Sequence, residues 1–314
     1  MEPKFFLMTD SPCDFSQKMV DDAGIGLIRF SYAEADKADG GLSGIDDLFE
    51  SRSAHEFYEA IRKGAHPLTS QPSQMEFEEH FRRCLELDIP TVYLCFDSAL
   101  SGAYEGACLA LARMEEEAGK KLPIYIVDTK LASTAQYLFI VEAIHQRDRG
   151  LTAEEMVSWA EEARYYLHAM FMVEDLDCLH RGGRLPKGVA VVGGALDVKP
   201  LLTIDVEGAL SVIGITRGRK KGIRKLAANF SNNHNHDEFS NIVSIGNADC
   251  PKDAERLIEL INKEDDSTIT MVSTIGPTIG CHVGPGMIAC CFWGNDRREG
   301  MSISDRIAAS VRKS

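Results

Sequence analysis

Three separated places in the sequence carry residues able to do chemistry. Asp97-Ser98-Ala99-Leu100-Ser101-Gly102 joins an apolar run, Val92 to Phe96, to a segment with Tyr104, Ala107, Cys108, Leu111 and Met114 at helical spacing. The loop therefore stands at the carboxyl end of a strand and the amino end of a helix, where unpaired N–H groups and the helix dipole favour negative charge. Ser101 adds a hydroxyl donor and Gly102 allows close approach to the backbone, so this corner reads as a seat for a carboxylate. The second place is Thr69-Ser70-Gln71-Pro72-Ser73, hydroxyl-rich and extended by its prolines. The third is His282, the most strongly placed histidine, inside the glycine- and proline-rich segment Thr274–Gly286.

Each admits a plainer reading. Ser101 fits a nucleophile, a ligand donor or a turn residue; the nucleophile reading lacks the G-x-S-x-G elbow. Thr69 and Ser70 fit ordinary loop hydroxyls, and His282 alone fits a hydrogen-bonded structural histidine. Arg217-Gly218-Arg219-Lys220-Lys221 is the densest basic island in a chain of net charge −14 and fits a solvated helix start or a docking patch. Cys290 and Cys291 read as core, Cys13 as unreactive, and Ser231–His236 as a solvated loop without the ligands of a zinc site.

The elements that must position these groups follow from pattern. Phe5–Met8, Ile25–Phe30, Val92–Phe96 and Ile124–Val127 read as strands, with helices from about Ser16, after Ser53 and Ser73, through 103–114, over 131–146 and after Thr152. Alternation of strand and helix predicts an α/β fold with a largely parallel, helix-flanked sheet over residues 1–165. Residues 31–52, acidic and glycine-rich, read as a surface loop. From His168 onward the pattern changes to a hairpin around Asp205–Gly208 and strands at 242–245, 269–272 and 287–293, a second α+β domain over 166–295. Thr274–Gly286 reads as a backbone-dominated loop and 296–314 as a tail.

The 314 residues are 44% hydrophobic, enough for two cores. An acidic surface argues against nucleic acid or anionic membrane as the main partner. Nine cysteines without a C-x-x-C pair, no export signal and no apolar span imply a reduced, cytoplasmic protein. No P-loop, kinase glycine loop or metal cluster is present, so no cofactor or metal is expected.

In order along the chain, Thr9-Asp10-Ser11 with Asp14, Thr69–Ser73, Leu100-Ser101-Gly102, Leu179–Arg184, Lys199-Pro200, Arg217-Gly218 and Gly280–Gly286 together resemble the DegV family of bacterial fatty-acid-binding proteins, over about residues 5–293. Pro12-Cys13 and Ala103 depart from its usual residues. The resemblance implies two domains holding one long-chain fatty acid in a tunnel between them. Thr69 and Ser101 would bond the carboxyl, with Ser70, Gly102 and Ser11 adjoining and Arg184 and His282 near the headgroup. It also implies presentation to a separate fatty acid kinase for phospholipid synthesis, with only transient membrane contact. Arg181, Arg217, Arg219 and Lys220 would be the docking cations. Two alternatives stand beside it: a lipid-active serine hydrolase using Ser101, His282 and an acid such as Asp10, and a small-anion or phosphosugar binder.

Overall fold

The first apolar run becomes β1 (Phe6–Asp10), followed by α1 (Gln17–Ala23), capped by the Ser16 hydroxyl, and β2 (Gly26–Ile28). β3 (Ser31–Ala33), β4 (Gly44–Ile45), α2 (Ala54–Arg62), β5 (Leu68–Ser70) and α3 (Gln74–Leu85) lead to β6 (Thr91–Cys95). Then come α4 (Ala103–Ala118), β7 (Ile124–Asp128), α5 (Ser133–Asp148) and α6 (Ala153–Ala163). This computed structural model describes residues 2–34, 41–185, 197–235 and 240–299. Strands β2-β1-β6-β7 form a parallel sheet. Every residue of β6 is buried, which is why its sequence is an unbroken apolar run rather than an alternation. The capping boxes at Ser53, Ser73 and Thr152 all form.

The second half supplies β8 (Leu167–Met172), α7 (Asp177–Arg181), β9 (Val198–Ile204), β10 (Leu210–Arg217), α8 (Arg219–Asn233) and β11 (Ile242–Asn247). α9 (Pro251–Glu264), β12 (Ile269–Thr274), α10 (Pro277–Val283) and β13 (Ile288–Trp293) complete it. The sheet order is β10-β9-β8-β13-β11-β12, antiparallel except for β11 with β12. Its outer face, with Met170, Met172, Val243, Ile245, Cys290 and Phe292, is covered by α8 and α9. Its inner face, with Ala169, Phe171, Ala289 and Cys291, joins the core of the parallel sheet. Cys290 and Cys291 thus belong to different cores, as strand alternation requires.

α5 packs against β8, β11 and β13 of one sheet and against α6 and the 3-10 turn Ser11–Cys13 of the other half. Residues Ser133 to Ile140 are consequently buried around the whole helix, and the sequence there is apolar on nearly every face. Phe139 stacks between Trp159 and Trp293, at 5.1 and 6.2 Å between ring centroids.

Three expectations are corrected. Residues 31–34 and 41–52 are not a plain surface loop: β3 pairs with β4 and β5, and Leu42, Asp46 and Leu48 are buried. Burial raises the Asp46 pKa, and Thr278, donating through both N–H and hydroxyl, offsets part of that penalty. Thr274–Gly286 is not a loop throughout, since α10 starts with Pro277 in its first turn, where a missing N–H costs nothing. Within Ser231–His236, α8 runs on to Asn233, and His234 stacks on Phe230 at 4.3 Å; residue 236 lies outside the described residues. Of the tail, Arg297 folds back to donate to the carbonyls of Ile204 and Arg164, while 300–314 are outside the described residues.

Candidate functional site

Between the loops at the carboxyl ends of β2, β6 and β7 and the inner face of the six-stranded sheet lies a cavity of about 360 Å³. Most of its wall is apolar: Phe30, Phe96, Phe171, Ile204, Leu210 and Met287 contribute. Thr69, Ser70, Gln71, Ser101, Arg184 and His282 also line it, and Thr69 is bonded to His282.

Thr69 reaches the cavity because β5 pairs with β3, setting Thr69 opposite Tyr32. Its Oγ1 lies 2.7 Å from His282 Nε2. Burial, reinforced by the Arg184 charge, lowers the His282 pKa to about 4, so the ring is neutral at ordinary pH. Its other nitrogen, Nδ1, has no hydrogen-bond partner. That nitrogen abuts Gly182: a Cβ added there would lie 2.1 Å from Nδ1. The glycine's Cα hydrogen therefore faces Nδ1, which suits a bare lone pair and crowds an N–H. The ring then carries its proton on Nε2 and donates to Thr69, whose own hydroxyl hydrogen is left for the cavity.

Arg184 spans the site. Its Nε donates to Leu100 O at 3.0 Å and its Nη1 to Gly182 O at 2.5 Å, so the guanidinium bolts the α7 turn to the loop after β6. In that loop Ser101 Oγ accepts from Ala103 N–H at 3.2 Å, capping the start of α4 and leaving its hydrogen free to donate. The cluster is thus a set of neutral donors and one cation arranged for an anionic or strongly accepting headgroup.

The other expected residues fall elsewhere. Ser70 lines the cavity and is exposed. Gly102 is behind the lining, pressed against Gln71, whose Oε1 is 2.8 Å from where a Cβ would stand. Ser11 is corrected: it does not line the cavity, and its Oγ accepts from the Phe30 N–H at 3.1 Å. Arg181, Arg217 and Lys220 are exposed. Arg219 is committed internally, paired with Asp253 and Glu174 and donating to Gly286 O. The hydrolase arrangement does not assemble, because Asp10 is fully buried and bonded to Tyr93, Phe96 N–H and Gln136, while no acid meets His282 Nδ1. His55, Glu59 and Asp249 converge, but Arg62 pairs with both acids there, making an ion-pair cluster.

Sequence reasoning missed Gly182, whose smallness admits the His282 ring; a glycine pair before Arg184 was the available sign. It also missed Ser133 and Thr278 in the wall, each bonded to a buried acid from far along the chain.

Fold and cavity define a class: an α/β protein of two large sheets and a small third one, with an apolar chamber headed by hydroxyls, an imidazole and a guanidinium. No helix among the described residues is long and apolar enough to cross a membrane. The chain belongs to the DegV family, matching over residues 4–295 the family described as "Uncharacterised protein, DegV family". A DegV domain-containing protein of Clostridium perfringens is 33% identical over 297 residues, covering 94% of this chain and 99% of the relative. A solved Thermotoga maritima protein, described as revealing a fatty acid binding function, superposes with TM-score 0.74 at 28% identity, covering 93% of this chain and 100% of that one. A DegV family protein from Thermus thermophilus, described by its fatty acid binding, gives TM-score 0.78 at 25% identity over 93% and 100% of the two chains.

Proposed function

We propose that the protein binds a single long-chain fatty acid, its tail in the cavity and its carboxyl among Thr69, Ser101, Arg184 and His282. The observation that carries this reading is a mostly apolar cavity with Thr69, Ser101, Arg184 and His282 in its wall. Burying about 14 methylenes at roughly 0.8 kcal/mol each contributes on the order of 11 kcal/mol before losses, enough for a carrier to compete with a bilayer for one chain. An unpaired buried carboxylate would cost several kcal/mol; two hydroxyl donors and a guanidinium offset that. The fatty acids bound by the Thermotoga and Thermus relatives support the same occupant.

In this reading the protein is a presenter rather than an enzyme. With no phosphate-binding loop in the sequence, a separate fatty acid kinase phosphorylates the carboxyl held at the partly exposed pole. Arg181, Arg217 and Lys220 steer that encounter, and contact with membrane is transient. Nine free cysteines support a reducing, cytoplasmic setting. The reading uses the two-domain division at about residue 165, with the acyl chain between the halves. Denaturing mass spectrometry of the purified protein tests it: one equivalent of a long-chain acid is expected, and protein that arrives empty and takes up none on titration overturns it.

A further inference from the structure

The opening Thr9–Asp14 motif has no place in the headgroup cluster, yet its last acid reaches the cavity wall from behind. Asp14 is buried; its Oδ1 accepts from Gly276 N–H at 2.8 Å and its Oδ2 from the Ser133 hydroxyl at 2.5 Å. Asp46 repeats the arrangement, its Oδ2 accepting from Thr278 N–H at 3.1 Å and from the Thr278 hydroxyl at 2.5 Å. Ser133 and Thr278 both line the cavity. A third wall hydroxyl, that of Thr134, is turned against Gly246 in β11, where it would lie 1.9 Å from an added Cβ. Ser133 and Thr278 therefore direct no donor toward the chamber although both belong to its lining, while the Thr134 hydroxyl has no hydrogen-bond partner among the described residues.

Two features show that the geometry is held against local preference. Asp14 (φ 58°) and Ser133 (φ 56°) both occupy the left-handed region, which non-glycine residues adopt at a cost. The backbone bends at both positions to bring the carboxylate and the hydroxyl together. A bare hydroxyl facing an alkyl chain would leave a desolvated donor without a partner, which is costly. Burial pushes the Asp14 carboxyl up to about 7, so at pH 8 it is ionised and accepts.

We propose that Asp14 and Asp46 set the chemical preference of the chamber: by taking the hydroxyl hydrogens of Ser133 and Thr278 they let an oxygen-bearing wall receive a plain alkyl chain and reject a hydroxylated one. This rests on the fatty-acid reading above and assigns a specificity role to residues that touch no ligand. Asp14→Asn is the test substitution, because asparagine tolerates the left-handed backbone. Its Oδ1 still accepts from Gly276, but its NH₂ donates to Ser133 Oγ and releases the serine hydrogen into the chamber.

The experiment titrates octadecanoic acid and a series of mid-chain hydroxyoctadecanoic acids at pH 8 into wild type, Asp14→Asn, and Asp14→Asn with Ser133→Gly. Wild type should prefer the plain acid. Asp14→Asn should shrink that preference about five- to tenfold for at least one hydroxyl position, and the added Ser133→Gly should restore it. An unchanged preference in folded Asp14→Asn overturns the proposal while leaving fatty-acid binding intact. A wild type that binds neither acid overturns the functional reading itself. Where Asp14→Asn does not fold, neutron diffraction of perdeuterated wild type decides: deuterons on Ser133 Oγ and Thr278 Oγ1 pointing at the carboxylates support the proposal, and deuterons pointing into the chamber end it.

Discussion

Two pairs of hydroxyls line the same chamber and do opposite things. Thr69 and Ser101 accept from groups behind them, an imidazole and a helix N–H, which frees their hydrogens to donate inward. Ser133 and Thr278 donate behind them, to Asp14 and Asp46, and present nothing to give. The polarity of a pocket wall is thus decided by what stands in the second layer. Counting hydroxyls in a lining would score the two ends alike.

The strongest way to break this comparison is to remove the inward donors. Thr69→Val with Ser101→Ala should weaken binding of a long-chain acid by about 3–6 kcal/mol, on the basis of roughly 1.5–3 kcal/mol per bond to a charged group. Calorimetric titration checks it, and a loss under tenfold would show that the pole is held by other groups. Next comes the proton linkage of the wall. Asp14 titrates at about 7 in the folded chain against an ordinary 3.8, chiefly through burial. The unfolded chain therefore gives up this proton first, and folding stability falls as pH rises from about 4 to about 7, then levels. Denaturant unfolding of wild type and Asp14→Asn should show the gap between them shift by several kcal/mol across that window; a constant gap would mean the carboxyl is not perturbed.

A smaller effect is expected at Gly182. Gly182→Ala displaces His282 from Thr69 and should cost about tenfold in affinity for the acid, roughly 1.4 kcal/mol. Nitrogen-15 spectra of wild type should show His282 with Nδ1 unprotonated, and a proton on Nδ1 would reverse the donor direction inferred for Thr69. The smallest concerns the surface. Lys220→Glu should slow acyl-phosphate formation a few-fold, with an eased salt dependence, at unchanged lipid content. Arg219→Ala should instead lower stability, since Arg219 holds Asp253, Glu174 and the Gly286 carbonyl. Lost lipid in Lys220→Glu would move the docking surface elsewhere.

Much of the fold was legible because local chemistry and tertiary role agree. β6 is buried at every position and apolar from Val92 onward because both its faces are covered, and the helices after Ser53, Ser73 and Thr152 announce themselves by capping boxes. Legibility failed where distant partners override composition. Asp46 sits in an acidic, glycine-rich stretch that reads as surface, and its burial rests largely on Thr278, 232 positions away, with Ser11 and the Leu48 N–H beside it. α10 was hidden because glycines and prolines are breakers in isolation, although Pro277 is an ordinary first-turn residue. At the site, the hydroxyls, Arg184 and His282 were visible as types in motifs. That Ser11 faces the Phe30 amide and not the chamber depends on a backbone direction that no spacing rule supplies.

The placement of α5 bears on how a guest gets in and out. A helix whose first two turns are buried on every side between two sheets works as a rivet: prising the halves apart would bare Phe139 and its tryptophan neighbours to water. On the fatty-acid reading proposed above, exchange would therefore run through small, local movements at the rim, with the body of the protein staying shut.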